Sequence, residues 1–529
     1  MKPTNPLVSP LLTDLYQLTM AYAYWKSGRQ DEPAVFDLFF RKNPFGGEFT
    51  VFAGLSEVLN FVSSFEFTKD DLDYVRKILH CEEEFLWWLR EANCSKVNIY
   101  AVREGTLVFP HIPLIRVEGP LGIVQLLETT LLNLVNYPSL IATNAARFRL
   151  AAGFDKDLIE FGLRRAQGPD GGISASRYSY MGGFNGTSNV LAGKIFNILV
   201  RGTHAHSWVQ SFTSLKDIKN PMIKDQVGTE HNFVELVLKY REELGYTDTN
   251  EGELAAFISY AQAYPKGFLA LVDTYDTLKS GVPNFICVSL ALFELGYKPV
   301  GIRLDSGDLA YLSKQTRETF KAVGQRYQIA DFGSRTILAS NDIDEEVIHS
   351  LNLQGHTINA FGIGTHLVTC KAQPALGCVY KLVEINGQPR IKLSEDTAKM
   401  TIPGRKTAYR LIGRDGYALI DLMTMADEEP PVAYKKVLCR HPHVETKRVL
   451  VEPRTVVPLH YCFWNQGDME QPSPTLESIR SYVLKQLTAL RPDHLRFLNP
   501  TPYKVAVSEK LYEFIHNLWE KEAPIGQLS

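Results

Sequence analysis

Arginine and aspartate side chains cluster where a short apolar segment of the chain ends. Val300-Gly-Ile-Arg-Leu-Asp-Ser-Gly-Asp308 is predicted to be a buried strand that stops at Arg303 and Asp305 around a Ser-Gly turn. Aspartates in such a position can hold Mg²⁺ or the hydroxyls of a ribose, and an arginine offers a planar fork for an anion. The alternative interpretation is a salt-bridged turn between a strand and a helix.

The same pattern recurs in the neighbouring segments. Phe268–Val272 is apolar and stops at Asp273-Thr-Tyr-Asp276, and Thr336–Ala339 stops at Ser340-Asn-Asp342. Helices are predicted between these strands. The predicted helices run from Pro283 to Gly296, over Leu309–Val323, and up to Gly355. The strand Thr357–Phe361 completes the series. This alternation predicts a parallel sheet of an α/β barrel, with polar groups at the carboxyl ends of its strands.

An aromatic ring and two arginines lie together in Glu160-Phe-Gly-Leu-Arg-Arg165, ahead of the glycine-rich Gln167–Gly172. A ligand ring that carries a carboxylate needs a face to stack on and a guanidinium to pair with, which Phe161 and one of the two arginines, Arg164 or Arg165, can supply. The alternative is a helix end with solvated arginines.

Two histidines follow the predicted apolar strand Ile195–Val200, in Gly202-Thr-His-Ala-His-Ser207. His204 and His206 are two residues apart on what is predicted to be an extended segment, so they are expected to share one face. A metal fragment is one interpretation, although the sequence has no further ligands with zinc spacing. An acid, base or nucleophile at a strand end is the favoured one.

Gly362-Ile-Gly-Thr365 is predicted to be a late loop between a strand and a helix. Backbone amides in such a loop can hold a phosphate, as the late loops of α/β barrels often do. Two glycines are a weak signal by themselves, and their place after the last predicted strand strengthens it.

Composition indicates a globular protein of two or three domains. The chain has 529 residues, of which 45% are hydrophobic and 22% are charged, and its net charge of −3 predicts no basic face for nucleic acid. Seven scattered cysteines fit free thiols in a reducing compartment. The N-terminus has no targeting pattern, and charged residues interrupt the apolar stretch Ile112–Ile141. A cytosolic protein without a membrane span is expected.

Three regions are predicted along the chain. Residues 1–145 form an α/β domain with the strands Val35–Phe40 and Val97–Val102 and the helix Leu121–Asn136, and residues 146–370 form the barrel. Residues 371–529 begin with hairpins around Asn386-Gly387 and Gly413–Gly416 and end in a helical stretch and a polar tail. We expect this third region to pack back on the first.

Several long motifs resemble one enzyme family over nearly the whole chain. The motifs are Leu11–Gln17, Arg41–Gly47, Ala142–Arg147, Leu163–Gly172, Gly202–Ser207, Val300–Asp308, Gly362–Thr365 and Lys392–Asp396. The residues of these motifs, and the order of the motifs along the chain, resemble those of the animal nicotinate phosphoribosyltransferases. The related nicotinamide phosphoribosyltransferases share only part of the set.

The resemblance implies a reaction and a fold. Such enzymes join nicotinate to 5-phosphoribosyl 1-diphosphate, which gives nicotinate mononucleotide and diphosphate, the first step from nicotinate to NAD. ATP is a co-substrate whose hydrolysis is coupled through a phosphohistidine, and Mg²⁺ (or Mn²⁺) is required. The implied fold is the type II phosphoribosyltransferase one, an irregular α/β barrel packed against an α/β domain formed by the N-terminal and C-terminal regions. The implied assembly is a homodimer with shared active sites.

The resemblance also assigns the residues of the pyridine site. Phe161 is expected to stack on the pyridine ring, and Tyr16 from the partner subunit to cover its other face. Arg303 and Arg164 are expected to meet the carboxylate, with Thr203 nearby.

The remaining assignments concern the ribose and the phosphates. His206 matches the phosphorylated histidine, and Asp273 and Asp305 are expected to hold the ribose hydroxyls and the metal. The expected ligands of the 5-phosphate are Gly364, Thr365 and Lys381. The sequence leaves open whether Lys392, Lys399 and Lys406 contact phosphate or line a solvated strand.

One position separates two sister activities. In Gly186-Thr-Ser-Asn-Val190, this chain has Ser188 where nicotinamide-specific relatives have an aspartate. A serine can donate a hydrogen bond to the nicotinate carboxylate, whereas an aspartate would repel it. A sister enzyme for nicotinamide or quinolinate and a non-catalytic binding member of the family are the alternatives. The presence of Asp273, Asp305 and His206 argues against a non-catalytic member.

Overall fold

The computed structural model describes residues 2–392 and 400–522. The α-helices are α1 (Leu15–Lys26), α2 (Leu55–Ser63), α3 (Lys69–Leu79), α4 (Glu83–Glu91), α5 (Leu121–Leu126), α6 (Glu128–Ala152), α7 (Gly168–Met181), α8 (Val190–Phe196), α9 (His206–Gln210), α10 (Phe233–Glu243), α11 (Glu251–Ala263), α12 (Val282–Glu294), α13 (Leu309–Arg326), α14 (Glu345–Gln354), α15 (Thr365–Val368), α16 (Leu476–Ala489) and α17 (Glu509–Glu522).

The strands are mostly short. They are β1 (Pro33–Phe40), β2 (Thr50–Val51), β3 (Asn98–Val102), β4 (Leu107–Val108), β5 (Ile115–Pro120), β6 (Asp157–Glu160), β7 (Gly186–Thr187), β8 (Met222–Lys224), β9 (Glu230–Asn232), β10 (Leu269–Leu271), β11 (Gly301–Leu304), β12 (Thr336–Ala339), β13 (Ala360–Ile363), β14 (Cys378–Ile385), β15 (Gln388–Pro389), β16 (Lys406–Ile412), β17 (Ala418–Met425), β18 (Val437–Arg440), β19 (Arg448–Val451), β20 (Thr455–Pro458), β21 (His460–Asn465), β22 (Asp468–Met469) and β23 (Val505–Val507).

The described chain divides into two compact units. The barrel unit contains residues 147–180 and 184–369. The second unit, called here the terminal unit, contains the described residues of 1–146, 181–183 and 370–529.

The barrel unit contains a parallel sheet with the strand order β10-β11-β12-β13-β6-β7. Apolar residues fill these strands, and helices such as α12 and α13 connect them, so the predicted alternation of strands and helices is confirmed. Val200 forms a parallel bridge to Thr187 of β7. Farther along the same segment, the Thr203 hydroxyl donates to the Leu269 carbonyl of β10 at 2.9 Å. An irregular segment therefore links both edges of the sheet, which makes this an irregular barrel.

The terminal unit contains two larger sheets. One has the order β15-β14-β1-β5-β3-β21-β22, and the other has the order β19-β18-β23-β17-β16-β20. A salt bridge of 2.8 Å joins Asp37 of β1 to Lys406 of β16, and both side chains are 2% exposed. Lys406 also donates to the carbonyls of Ile402 and Gly404. This lysine therefore lies in the interior, and neither of the two roles that the sequence left open for it fits this position.

Several predicted elements differ from the structure. The predicted strand Ile195–Val200 is wrong: Ile195 and Phe196 end helix α8, whose N-terminus is capped by the Asn189 side chain, and at the other end only Val200 forms a β-bridge. The predicted helix Leu121–Asn136 is two helices, α5 and α6, and α6 continues past Pro138 to Ala152. The predicted strand Thr357–Phe361 begins later, as β13.

The end of the chain is also more regular than predicted. The hairpins around Asn386-Gly387 and Gly413–Gly416 are confirmed as β14–β15 and β16–β17, and the helical stretch is α16. The polar tail, however, contains strand β23 and helix α17. Residues 393–399, which include Lys399 and much of the Lys392–Asp396 motif, lie outside the described residues. Across the described ranges, no helix has both the length and the apolar character needed to cross a membrane.

Candidate active site at the strand ends of the barrel unit

Two of the predicted aspartates meet at the same edge of the parallel sheet. Asp273 follows β10 and Asp305 follows β11, and these strands pair in parallel with Leu271 opposite Arg303. The Asp273 Oδ2 atom accepts a hydrogen bond from the Asp305 backbone N–H at 3.2 Å and another from the Ser306 hydroxyl. Its Oδ1 atom is buried and has no hydrogen-bond partner among the described residues. A buried carboxylate oxygen without a partner is expected to meet a ligand hydroxyl or a cation.

Arg303 connects this carboxylate pair to the neighbouring strand. Its Nη2 atom lies 2.8 Å from Asp305 Oδ1, and its Nε atom donates to the Ser340 hydroxyl at 2.8 Å. Ser340 follows β12 and donates in turn to Asp305. The described part of the chain supplies no acceptor to the Arg303 Nη1 atom, so the guanidinium keeps donors for an anionic ligand.

Phe161 lies beside Arg303, with 5.2 Å between the guanidinium carbon and the centre of the phenyl ring. It follows β6, and its backbone N–H donates to the Ile363 carbonyl of β13 at 2.8 Å. A Cβ atom added to Gly362 would lie 2.4 Å from the Phe161 Cε2 atom. The absence of a side chain at Gly362 therefore allows the ring to take this position.

Glu160 fixes the end of β6 and was not predicted as a site residue. Its side chain is buried and accepts hydrogen bonds from the Ser176 hydroxyl at 2.8 Å and from the Thr187 hydroxyl at 2.5 Å. The Ser188 backbone N–H donates to the Glu160 carbonyl at 2.9 Å. Half-buried Ser188 therefore follows β7 at the same edge of the sheet where Phe161 follows β6.

The two histidines do not share one face, so that expectation is wrong. His204 is buried; its Nε2 atom accepts a hydrogen bond from the Leu271 backbone N–H at 3.3 Å, and its ring packs on Tyr260. Burial lowers the pKa of His204 to about 4. His206 instead begins helix α9, and its side chain reaches the strand ends. A change of backbone direction between the two residues sends one ring into the core and the other to the site.

His206 joins the carboxylate cluster through both ring nitrogens. The Nδ1 atom lies 3.1 Å from the Thr274 hydroxyl, and the Nε2 atom lies 3.6 Å from Asp305 Oδ2. The His206 side chain is 39% exposed, so a ligand can reach it. Thr203 is half-buried and is bound to β10 through the Leu269 carbonyl.

Three other predicted residues lie on the loops that follow β6 and β13. Arg164 is exposed in the 3₁₀ helix Leu163–Arg165, and no described residue forms an ion pair with it. Gly364 and Thr365 are half-buried at the start of the short helix α15. Gly362 belongs to strand β13, so only the second half of the predicted phosphate-binding loop is a loop.

Tyr16 and Lys381 belong to the terminal unit. Tyr16 is 47% exposed on α1, and its hydroxyl donates to Glu128 at 3.3 Å. Burial raises the pKa of Tyr16, and the neighbouring Glu128 carboxylate adds to the increase. Lys381 is half-buried on β14, opposite Asp37 of β1.

The carboxylates fit a magnesium ion that is shared with substrate. Among residues 2–392 and 400–522, no group of three or more His, Cys, Asp or Glu side chains is arranged to hold a metal by itself. Mg²⁺ is commonly bound by one or two carboxylates together with substrate phosphates and water. Asp273, with its unpartnered Oδ1 atom, and Asp305 provide that kind of ligand set.

A buried acid behind the site was also not predicted. Glu253 of α11 is 0% exposed; it accepts hydrogen bonds from the Ser280 hydroxyl at 2.5 Å and from the Asn284 side chain at 3.0 Å. Burial raises the pKa of Glu253 to about 7. Ser280 lies in the π-helix Thr277–Gly281, just after the Asp273 loop, and such helices are frequent at functional sites. No sequence motif indicates this contact.

Three family models match the chain in consecutive order. The N-terminal and C-terminal domain models of nicotinate phosphoribosyltransferase match residues 11–136 and 405–515. The model described as the nicotinate phosphoribosyltransferase (NAPRTase) family matches residues 157–439, more than half of the chain. This chain belongs to the nicotinate phosphoribosyltransferase family.

Individual relatives cover almost the full length. A nicotinate phosphoribosyltransferase of Dictyostelium discoideum is 57% identical over 100% of this chain and 91% of its own, and one of Homo sapiens is 45% identical over 97% of each. The crystal structure of human nicotinic acid phosphoribosyltransferase matches with a TM-score of 0.87 and 42% identity, over 96% of this chain and 99% of that one. The family resemblance and the fold class predicted from the sequence are confirmed.

Proposed function

We propose that this protein joins nicotinate to 5-phosphoribosyl 1-diphosphate, with coupled ATP hydrolysis, and releases nicotinate mononucleotide and diphosphate. The full-length relatives carry the name of this activity. The observation that carries the proposal is the grouping of Phe161, Arg303 and the two aspartates at one edge of the sheet. A ring face, a guanidinium and carboxylates are what a pyridine carboxylate and a ribose require together.

The pyridine site is proposed to form around Phe161. The nicotinate ring stacks on the phenyl face, and its carboxylate accepts from the free donors of Arg303, with Arg164 and Thr203 completing the contacts. Ser188 donates to the same carboxylate. Nicotinate attacks through its ring nitrogen lone pair, so positioning and not proton removal is the contribution of these side chains.

The ribose is proposed to lie over Asp273 and Asp305. Positive charge develops on the sugar as the bond to the diphosphate breaks, and the two carboxylates stabilise that charge. Bound Mg²⁺, or Mn²⁺, would supply positive charge to the leaving diphosphate. Gly364, Thr365 and Lys381 are the proposed ligands of the 5-phosphate.

His206 is the proposed acceptor of the ATP γ-phosphoryl group. When its Nδ1–H donates to Thr274, the Nε2 atom carries the lone pair that can attack the phosphorus. ADP leaves, and water later removes the phosphoryl group. The energy of ATP is thereby coupled to the binding of the activated ribose.

We further propose a cytosolic homodimer in which Tyr16 covers the pyridine ring bound by the other subunit. The 47% exposure of Tyr16 supports a role at a surface. Light scattering of the purified chain checks the dimer, and fractionation of cells that express it checks the compartment.

The test is a direct assay on the full chain. The mononucleotide formed from each pyridine and the released diphosphate are measured with nicotinate, nicotinamide or quinolinate as the acceptor, with and without ATP. Product from nicotinate, stimulated by ATP, is expected. Product from nicotinamide or quinolinate alone would identify a sister enzyme, and no product with any acceptor would favour a non-catalytic member.

A further inference from the structure

A large cavity lies within the terminal unit, and the proposed reaction does not use it. Its volume is about 820 Å³, and its lining comes from strands β17, β18, β19 and β23, from the loops 441–447 and 501–504, and from the segments around Glu48 and His111. Ligand pockets in proteins are commonly about 300–1,000 Å³. The cavity therefore has room for a ligand of nucleotide size.

The charge of the cavity lining is opposite to that of the whole protein. Four side chains with permanent positive charge line it, and Glu48 is the one carboxylate in that lining. The four are Arg440, Lys447, Arg448 and Lys504. The formal net charge of these groups is +3, whereas the chain carries −3. Such a concentration of positive charge attracts anions.

Arg440 is the buried member of this group. It is 9% exposed, its Nη1 atom pairs with Glu509 at 2.8 Å, and its guanidinium carbon lies 3.6 Å from the centre of the Tyr512 ring. The Nε atom is buried and has no hydrogen-bond partner in the described chain. A rigidly held guanidinium with an unused donor is expected to meet an anionic acceptor.

Histidines add further donors to the lining. The His441 Nδ1 atom accepts from the backbone N–H groups of His443 and Val444, both at 3.1 Å, so its ring proton lies on Nε2. His443 stacks on Trp519, and its Nδ1 atom is buried without a partner among the described residues. Burial lowers the pKa of His443 to about 4, so its ring is neutral, and the N–H donor that the lining offers is Nε2 of His441.

The cavity also has an apolar surface. Ile420, Met423, Val505 and Ala506 line it together with the basic groups. Phosphates prefer the cations, whereas a base or another apolar group prefers these aliphatic side chains.

We propose that this cavity binds a nucleotide that carries at least two phosphates, with its phosphates on Arg440, His441, Lys447 and Lys504 and its base on the aliphatic side chains. The nucleotide is an effector separate from the ATP of the proposed reaction, because that ATP must reach His206 in the barrel unit.

Binding is tested by titration calorimetry on the full chain, with ATP and with inorganic triphosphate as separate probes. The variant is Lys447→Glu/Lys504→Glu, which reverses two exposed charges of the cavity lining. The matched control is Lys77→Glu/Lys485→Glu, which reverses two exposed lysines of the same unit that do not line the cavity. The dissociation constants of both probes are expected to rise at least about tenfold in the variant, because two charge-assisted contacts are lost, and to stay unchanged in the control.

A chemical footprint locates the bound probe. Diethyl pyrocarbonate modifies accessible histidines, and mass spectrometry of the peptide with His441 and His443 reports their protection. ATP is expected to protect this peptide in the wild type and in Asp305→Asn, but not in the double variant of the cavity. Equal modification with and without ATP, or equal affinity in the two charge-reversal variants, would overturn the proposal.

Activity assays then test whether the ligand of the cavity is separate from the co-substrate. ATP hydrolysis at His206 is expected to persist in Lys447→Glu/Lys504→Glu, whereas its loss would overturn the assignment of a separate effector. The calorimetric and footprint results do not depend on catalysis, so they remain decisive even if no nicotinate mononucleotide forms.

Discussion

Gly362→Ala tests whether Phe161 is the platform for the pyridine ring. The new Cβ atom would lie 2.4 Å from Phe161 Cε2, so the phenyl ring must move. A side chain forced about 30° from its rotamer costs about 0.5–1.5 kcal/mol. A lost aromatic stack costs about as much again. The sum of about 1–3 kcal/mol corresponds to a decrease of about 5- to 150-fold in kcat/KM for nicotinate.

The assay varies nicotinate and 5-phosphoribosyl 1-diphosphate separately. The loss is expected in KM for nicotinate, with KM for the activated ribose nearly unchanged, because Phe161 contacts only the pyridine in this scheme. Gly267→Ala is the matched control: it lies in the same unit, and no atom within 4 Å would meet its Cβ. An unchanged KM for nicotinate in a folded Gly362→Ala protein would refute the assignment of Phe161 to the ring.

Three further predictions concern the other assigned residues. Ser188→Asp should lower kcat/KM for nicotinate at least about tenfold, because a carboxylate would then face the nicotinate carboxylate, and unchanged kinetics would remove Ser188 from the site. Tyr16→Ala protein mixed with Asp305→Asn protein should regain partial activity, and no recovery after verified subunit exchange would mean that each site is built within one chain. His206→Ala should abolish ATP hydrolysis and labelling by γ-labelled ATP but leave slow transfer, and label that persists would show that another residue is phosphorylated. His204→Gln should keep both activities.

The structure favours His204→Gln over His204→Ala as the control for His206→Ala. The resemblance to the family assigns a role to His206 and none to His204, which makes His204→Ala the simplest control by sequence alone. His204, however, is buried and accepts the Leu271 backbone N–H, so alanine would leave this donor unpaired at a cost of about 1–3 kcal/mol. Glutamine retains an acceptor, and the thermal stability of both variants measures the difference.

Residues at strand ends were predictable, whereas their supporting contacts were not. Asp273 and Asp305 follow apolar segments, and the parallel arrangement alone brings them to one edge. Ser340 follows the next strand, so the same rule could have placed it in the site. Glu160 and Glu253 act through side chains that are distant in sequence, and no local pattern indicates such pairs.

The incorrect elements have local physical causes. The predicted strand Ile195–Val200 is apolar enough for either structure, and the cap supplied by Asn189 favours a helix just before it. Pro138 lies inside α6, where a proline usually ends a helix, so the boundary predicted at Asn136 was wrong.

The order of the β1–β14 strand pair has a consequence for synthesis of the chain. Ala34 of β1 pairs with Ile385 of β14, a separation of 351 residues (385 − 34). At ribosomal rates of about 5–20 residues per second, β1 leaves the ribosome roughly 20–70 s before its partner exists. The barrel unit is nearly continuous in sequence and is complete at residue 369, before β14 is made. Nascent chains should therefore fold the barrel first. During that time β5 is already available to one edge of β1, whereas the edge that pairs with β14 stays open to chaperones and to aggregation.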